Sequence, residues 1–129
     1  MKQSIYNIGV EATMSIIGGK WKPIILCHLK HQTMRTGQLR RAIPNITQKM
    51  LTQQLRELED DGIVARKVYN QIPPKVEYSL TEYGDSLNRI LEELCLWGED
   101  NIARRKAKGE NIILLKSDYL DTQDLSDVE

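Results

Sequence analysis

The chain has 129 residues, 40% of them hydrophobic and 28% charged, which allows one modest core and argues against wholesale disorder. No apolar run approaches the ~20 residues needed to span a bilayer, and the opening MKQSIYNIGVEAT carries no apolar signal segment, so a cytoplasmic protein is expected. The 18 Lys/Arg balance the 18 Asp/Glu, and the two cysteines, Cys27 and Cys95, are too few and too isolated for a disulfide framework or a zinc site.

Val10, Met14 and Ile17 recur at helical spacing, and Gly18-Gly19 stops that short helix. A second helix begins near Lys20, tolerates Pro23 in its first turn, and offers Trp21, Ile24, Ile25 and Leu29 as its apolar face. Met34-Arg35 suits a short extended segment. A third helix runs from about Gly37 to Ala42 and ends before Pro44. Thr47 is the clearest helix start: its hydroxyl can cap TQKMLTQQLRELEDD, whose buried stripe is Leu51, Leu55 and Leu58 and whose stop is Gly62. Two runs with strand character follow, 63–69 and 76–80. The joint between them contains Pro73-Pro74, which cannot lie inside a ladder, so it is a hairpin tip. Thr81 is then expected to cap one continuous helix to about Lys106, with Glu82 in its first turn and Arg104, Arg105 and Lys106 in its last.

Two short helices separated by a tight turn and followed by a hairpin make a winged helix-turn-helix. The predicted fold class is mainly α with a small β-hairpin (α+β), completed by a long C-terminal dimerisation helix. One domain is expected over residues 1–108, with an acidic tail over 109–129.

Charge is strongly segregated. Residues 1–80 carry 12 Lys/Arg against 6 Asp/Glu, and residues 81–129 carry 6 against 12. Between Ala12 and Arg56 there are eight basic residues and no acidic one. Nucleic-acid binding follows the local field and not the sum, so a neutral total does not exclude it. A recognition helix enters the major groove while its predecessor crosses the backbone. Near the start of the helix after Thr47, the residues Thr47, Gln48, Lys49, Thr52 and Gln53 can reach base edges and phosphates, and Arg56 suits a phosphate. Arg40 and Arg41 add backbone-contacting charge from the preceding helix. Arg66, Lys67 and Lys75 flank the hairpin tip and suit a wing. Each group also fits a solvated polar face, with Glu77 a candidate cross-strand partner for Arg66 or Lys67. Along the last helix Tyr83, Leu87, Ile90, Leu91, Leu94 and Trp97 form an apolar stripe that a second subunit could cover, as could the chain's own first helix. A two-fold dimer would bind a palindromic operator.

The stretches VEATMSIIGGKWKPIIL (10–26), GQLRRAIPNITQKMLTQQLRELEDDGIVARKVY (37–69) and PPKVEYSLTEYGDSL (73–87) closely resemble the HxlR-type branch of winged-helix regulators, a branch related to the MarR regulators. The resemblance covers roughly residues 8–100. It implies a homodimer held by the terminal helices, binding of double-stranded operator DNA and, most commonly, repression. It places Gln48, Lys49, Thr52 and Gln53 in the recognition helix and Lys67 through Lys75 in the wing. Several oxidant-sensing relatives carry a cysteine where this chain has Ile8, followed here by Gly9. Ile8 cannot form a thiolate, so thiol switching by that route is unavailable. Cys27 and Cys95 are the alternative thiols, with only Lys30 and His31 near Cys27 as an activating setting; the expectation is Cys27 in the core and Cys95 in the helix interface.

An enzyme is not expected. His28 and His31 have no acidic neighbour to complete a site, and Gly18-Gly19-Lys20 lacks P-loop spacing. No cofactor is expected, and no residue set identifies the small-molecule effector such a regulator could bind. The alternative function is a winged-helix protein-interaction module whose basic face meets an acidic partner. The acidic side chains Asp118, Asp121, Asp124, Asp127 and Glu129 fit either a solvated tail or a device that repels misplaced DNA.

Overall fold

The computed structural model describes residues 2–115, so the acidic side chains of the tail from Asp118 onward lie outside the described residues. Among the described residues the elements are, in order, α1 (Gly9–Ile17), α2 (Trp21–Leu29), β1 (Met34–Arg35), α3 (Thr36–Ala42), α4 (Gln48–Asp60), β2 (Val64–Tyr69), β3 (Lys75–Leu80), α5 (Glu82–Asp85) and α6 (Asn88–Ala107). The chain divides into two compact units, Met1–Asn88 and Arg89–Glu129.

In the first unit the three strands form an antiparallel sheet of order β1-β3-β2. Register sets its faces, because side chains alternate along a strand. Val64, Arg66 and Val68 stand opposite Leu80, Tyr78 and Val76, and Met34 also pairs with Tyr78. Val64, Tyr78 and Met34 are buried, so this face looks inward. Lys67 and Arg35 both stand opposite Glu77, and Tyr69 opposite Lys75, on the other face. The core joins these strand residues to Ile25, Leu26 and Leu29 of α2, Leu39 of α3, and Leu51, Leu55 and Leu58 of α4.

Helix ends are fixed by local chemistry. The Thr47 hydroxyl accepts the Met50 N–H at 3.0 Å and caps α4. At the other end Gly62, at φ +76°, lets the Ile63 N–H reach back to the Leu58 carbonyl at 3.0 Å. The expected continuous helix from Thr81 does not form. Thr81 caps only the one-turn α5, accepting the Gly84 N–H at 2.9 Å, and the backbone then tightens into i→i−3 bonds, Ser86 to Tyr83 and Leu87 to Gly84. The Ser86 hydroxyl also donates to the Tyr83 carbonyl at 2.5 Å, competing for the acceptor that a continuing helix would use.

Two apolar faces also differ from expectation. Only Ile17 of α1 is buried, while Val10 and Met14 are exposed. In α2, Leu26 is fully buried, whereas Trp21 and Ile24 are half-buried. Both cysteines are half-buried.

In the second unit α6 is 20 residues long, about 30 Å at 1.5 Å per residue. It stops at Gly109, at φ +97°, with Arg105 paired to Glu110 at 3.0 Å. Ile90, Leu94 and Trp97 are exposed on it, whereas Leu91 is fully buried within one chain. Leu91 therefore offers no exposed surface to a partner.

The Thr81 hydroxyl also donates to the Gly62 carbonyl at 2.6 Å, and its N–H to the Ile63 carbonyl at 3.0 Å, so the exit of α4 and the start of α5 are pinned together. A β-carbon at Gly84 would lie 2.1 Å from the Ile63 carbonyl oxygen. Gly84→Ala is expected to destabilise the protein by about 1–3 kcal/mol in urea unfolding, since rigid backbone must move to admit the methyl group.

Candidate nucleic-acid interface

The helix-turn-helix is α3, the turn 43–47 and α4. Ile43 and Ile46 are buried on either side of Pro44-Asn45, and Asn45 takes a left-handed backbone at φ +73°, which asparagine tolerates better than most residues. These anchors set the angle at which α4 leaves the turn. Arg40 and Arg41, in the last turn of α3, are exposed just before it.

Burial of Leu51, Leu55 and Leu58 turns Lys49, Gln53 and Arg56 outward, and all three are exposed. The first turn of α4 holds no acidic residue, so the positive end of the helix dipole stays uncompensated. The two flanks of this outward face have different neighbours.

On one flank Gln48 Nε2 donates to Thr52 Oγ1 at 3.1 Å. Thr52, Arg56 and Glu59 then line a cleft of about 310 Å³ with Arg66 and Tyr78 of the hairpin. Two guanidinium groups, one from the helix and one from β2, thus meet around a single cleft. Among the described residues neither is in an ion pair.

On the other flank Lys22 Nζ lies 2.6 Å from Glu57 Oε1, and Gln53 Nε2 donates to Glu57 Oε2 at 3.3 Å. The hydrogen bonds from Lys22 and Gln53, and then the Lys22 charge, hold the Glu57 carboxyl below its ordinary value. The acid on this flank is thereby matched by a cation from α2. The Gln53 amide is engaged here and not in the cleft.

The hairpin residues also separate. Arg66 points to the α4 side, but Lys67 and Lys75 lie on the opposite face of the sheet. There Lys67 Nζ is 4.9 Å and Lys75 Nζ 4.6 Å from the centre of the Tyr69 ring. Lys75 also pairs with Glu77 at 3.8 Å. The Tyr69 hydroxyl and, after it, the Lys75, Arg35 and Lys67 charges lower the Glu77 carboxyl. Of the two partners considered for Glu77, Lys67 stands opposite it and Arg66 does not, while the ion pair itself is made by Lys75.

The structure thus brings Thr52, Arg56 and Arg66 together, keeps Lys49 exposed nearby on α4, and sets Lys67 and Lys75 on a different face. Sequence reading missed Lys22, Arg35, Glu59 and Tyr69. The two-residue period of a strand was the available signal: adjacent Arg66 and Lys67 must face opposite ways.

The profile of the HxlR-like helix-turn-helix family matches residues 16–106. The chain is similar to the HTH-type transcriptional regulator YtcD of Bacillus subtilis (strain 168), with 64% identity over 104 residues that span 81% of this chain and 82% of that protein. A crystal structure of YtcD matches with a TM-score of 0.71 at 62% identity, covering 74% of this chain and 98% of that one. The redox regulator HypR in its reduced form matches with a TM-score of 0.72 at 53% identity, covering 76% and 97%.

Replacing Lys22 by Met tests the α2–α4 pairing. A lowered carboxyl contributes stability above its unfolded value of 4.5 and loses it as pH falls through the folded value. Lys22→Met is expected to lower the melting temperature at neutral pH, with the gap from the parent protein narrowing below pH 4.5 in a series of thermal melts.

Proposed function

The chain belongs to the HxlR-like helix-turn-helix family of DNA-binding transcription regulators, and we propose that it binds a palindromic operator as a homodimer and acts as a repressor. The observation that carries this reading is the outward face of α4 meeting the hairpin at Thr52, Arg56 and Arg66. In this reading the start of α4 enters the major groove, with Thr47, Gln48, Lys49, Thr52 and Gln53 near base edges and phosphates. Thr47 accepts the Met50 N–H at the cap and keeps its hydroxyl proton to donate. Arg56, Arg66, Arg40 and Arg41 contact phosphates, which fix register without specifying sequence. Lys67 and Lys75 reach the backbone from the outer face of the wing.

Dimerisation is supported by exposed apolar surface. Trp97 is 72% exposed, Tyr83 70%, Leu94 54% and Ile90 44%, and Leu87 is half-buried. Ile90, Leu94 and Trp97 recur at steps of four and three, which puts them on one side of α6. Large apolar side chains grouped in this way mark an interaction surface. The two recognition helices would then stand ~34–36 Å apart, one DNA turn. The proposal includes a location in the cytoplasm at the nucleoid. No helix among the described residues is long and apolar enough to cross a membrane. Redox sensing is not part of the proposal, because the exposed Ile8 ahead of α1 has no thiol.

Two experiments test these statements. Lys49→Ala and Arg56→Ala are each expected to weaken duplex binding and to reduce the slope of log affinity against log salt by about one. Unchanged affinity and slope in both would favour a module that binds protein instead. Trp97→Glu is expected to convert the dimer to monomers in sedimentation equilibrium, while a chain already monomeric before substitution would refute the dimer.

A further inference from the structure

The outer face of the hairpin holds an arrangement that duplex contacts alone do not require. Lys67 on β2 and Lys75 on β3 approach the ring of Tyr69 at 4.9 and 4.6 Å, within the ~6 Å over which an aromatic face attracts a cation. Tyr69 and Lys75 are directly paired across the ladder, and Lys67 lies two residues back on the same face. The ring is half-buried, at the last ladder position before the tip. Glu77, on the same face, pairs with Lys75 at 3.8 Å. Arg35, Lys67 and Lys75 together outnumber that one carboxylate, so the face keeps a net positive charge.

A free lysine has four rotatable bonds, and ordering it against a phosphate costs side-chain entropy. A lysine resting on a ring is already partly ordered. Its ammonium still has N–H donors turned away from the ring. The aromatic face and a phosphate oxygen can therefore be engaged at once.

Resting on the DNA-binding reading above, we propose that Tyr69 is a positioning residue of the wing, whose ring splints Lys67 and Lys75 at a fixed spacing for the phosphate backbone. Tyr69 itself touches no DNA in this scheme. It acts through the two lysines, and without the ring both cations remain on the chain but are no longer held in place.

The test uses the full chain and a random-sequence duplex, so no operator is needed. Binding is followed by fluorescence anisotropy over a KCl series for Tyr69→Val, Tyr69→Phe and Tyr69→Trp. Valine suits a strand and leaves formal charge unchanged, so a role limited to strand structure predicts parent-like binding. The splint predicts that Tyr69→Val binds several-fold more weakly with a shallower salt slope, at an unchanged melting temperature. Tyr69→Phe and Tyr69→Trp should retain the slope. In a double-mutant cycle, Lys67→Met should cost less in the Tyr69→Val background than in the parent. Parent-like affinity and slope in Tyr69→Val, or strict additivity with Lys67→Met, overturns the proposal. If Tyr69→Val does not fold, Tyr69→Trp is compared with Tyr69→Phe: the stronger face of indole predicts the tighter complex, and a flat or inverted order overturns the splint. Lys49→Ala runs in parallel. If it too leaves the slope unchanged, the assignment of the α4 face has failed, and the splint fails with it.

Discussion

Leu51, Leu55 and Leu58 follow one another at steps of four and three, so a single rotation of α4 buries all of them, and each is at most 1% exposed. Burying one such side chain contributes on the order of 1.5–3 kcal/mol, more than a solvent-facing polar contact on the opposite side of the helix returns. The three leucines therefore decide which side chains α4 shows to a duplex. The Thr47 cap and the Gly62 stop fix where the helix begins and ends, and hence which residues occupy its exposed first turns. The Lys22–Glu57 pair then matches an acid on one flank of that surface.

The hairpin extends the same surface in two directions. Its inward face contributes Arg66 to the cleft shared with Thr52 and Arg56, while its outward face carries Lys67, Lys75 and Arg35 around Tyr69 and Glu77. A wing charged on both faces suits a support that lies along a phosphate backbone, because the field there does not depend on one orientation of one side chain. In the proposed reading, sequence preference falls to the amides and hydroxyls of α4, since phosphate contacts carry none.

Much of this was legible in the sequence because local signals agreed. Thr47, Gly62 and the leucine stripe defined α4 to within a residue, and Pro73-Pro74 marked the hairpin tip. Tertiary facts were not legible. The break after Asp85 depends on Ser86 taking the Tyr83 carbonyl and on Gly84 packing against the Ile63 carbonyl, neither of which periodicity reports. Apolar spacing could not separate Leu91, which is buried, from Ile90 and Leu94, which are not. Grouping Arg66 with Lys67 treated neighbours in sequence as neighbours on a surface, which a strand forbids. The Lys22–Glu57 pair joins residues 35 positions apart, beyond any local pattern.

The most direct measurement is an NMR titration of the ¹⁵N-labelled chain with duplex DNA, following every backbone amide. The largest shifts are predicted at 47–56, in the last turn of α3 and along the β2–β3 hairpin, and they should diminish together as salt is raised. Shifts confined to α6 or to residues 110–115, with α4 unmoved, would contradict the assignment of α4 as the helix that reads DNA.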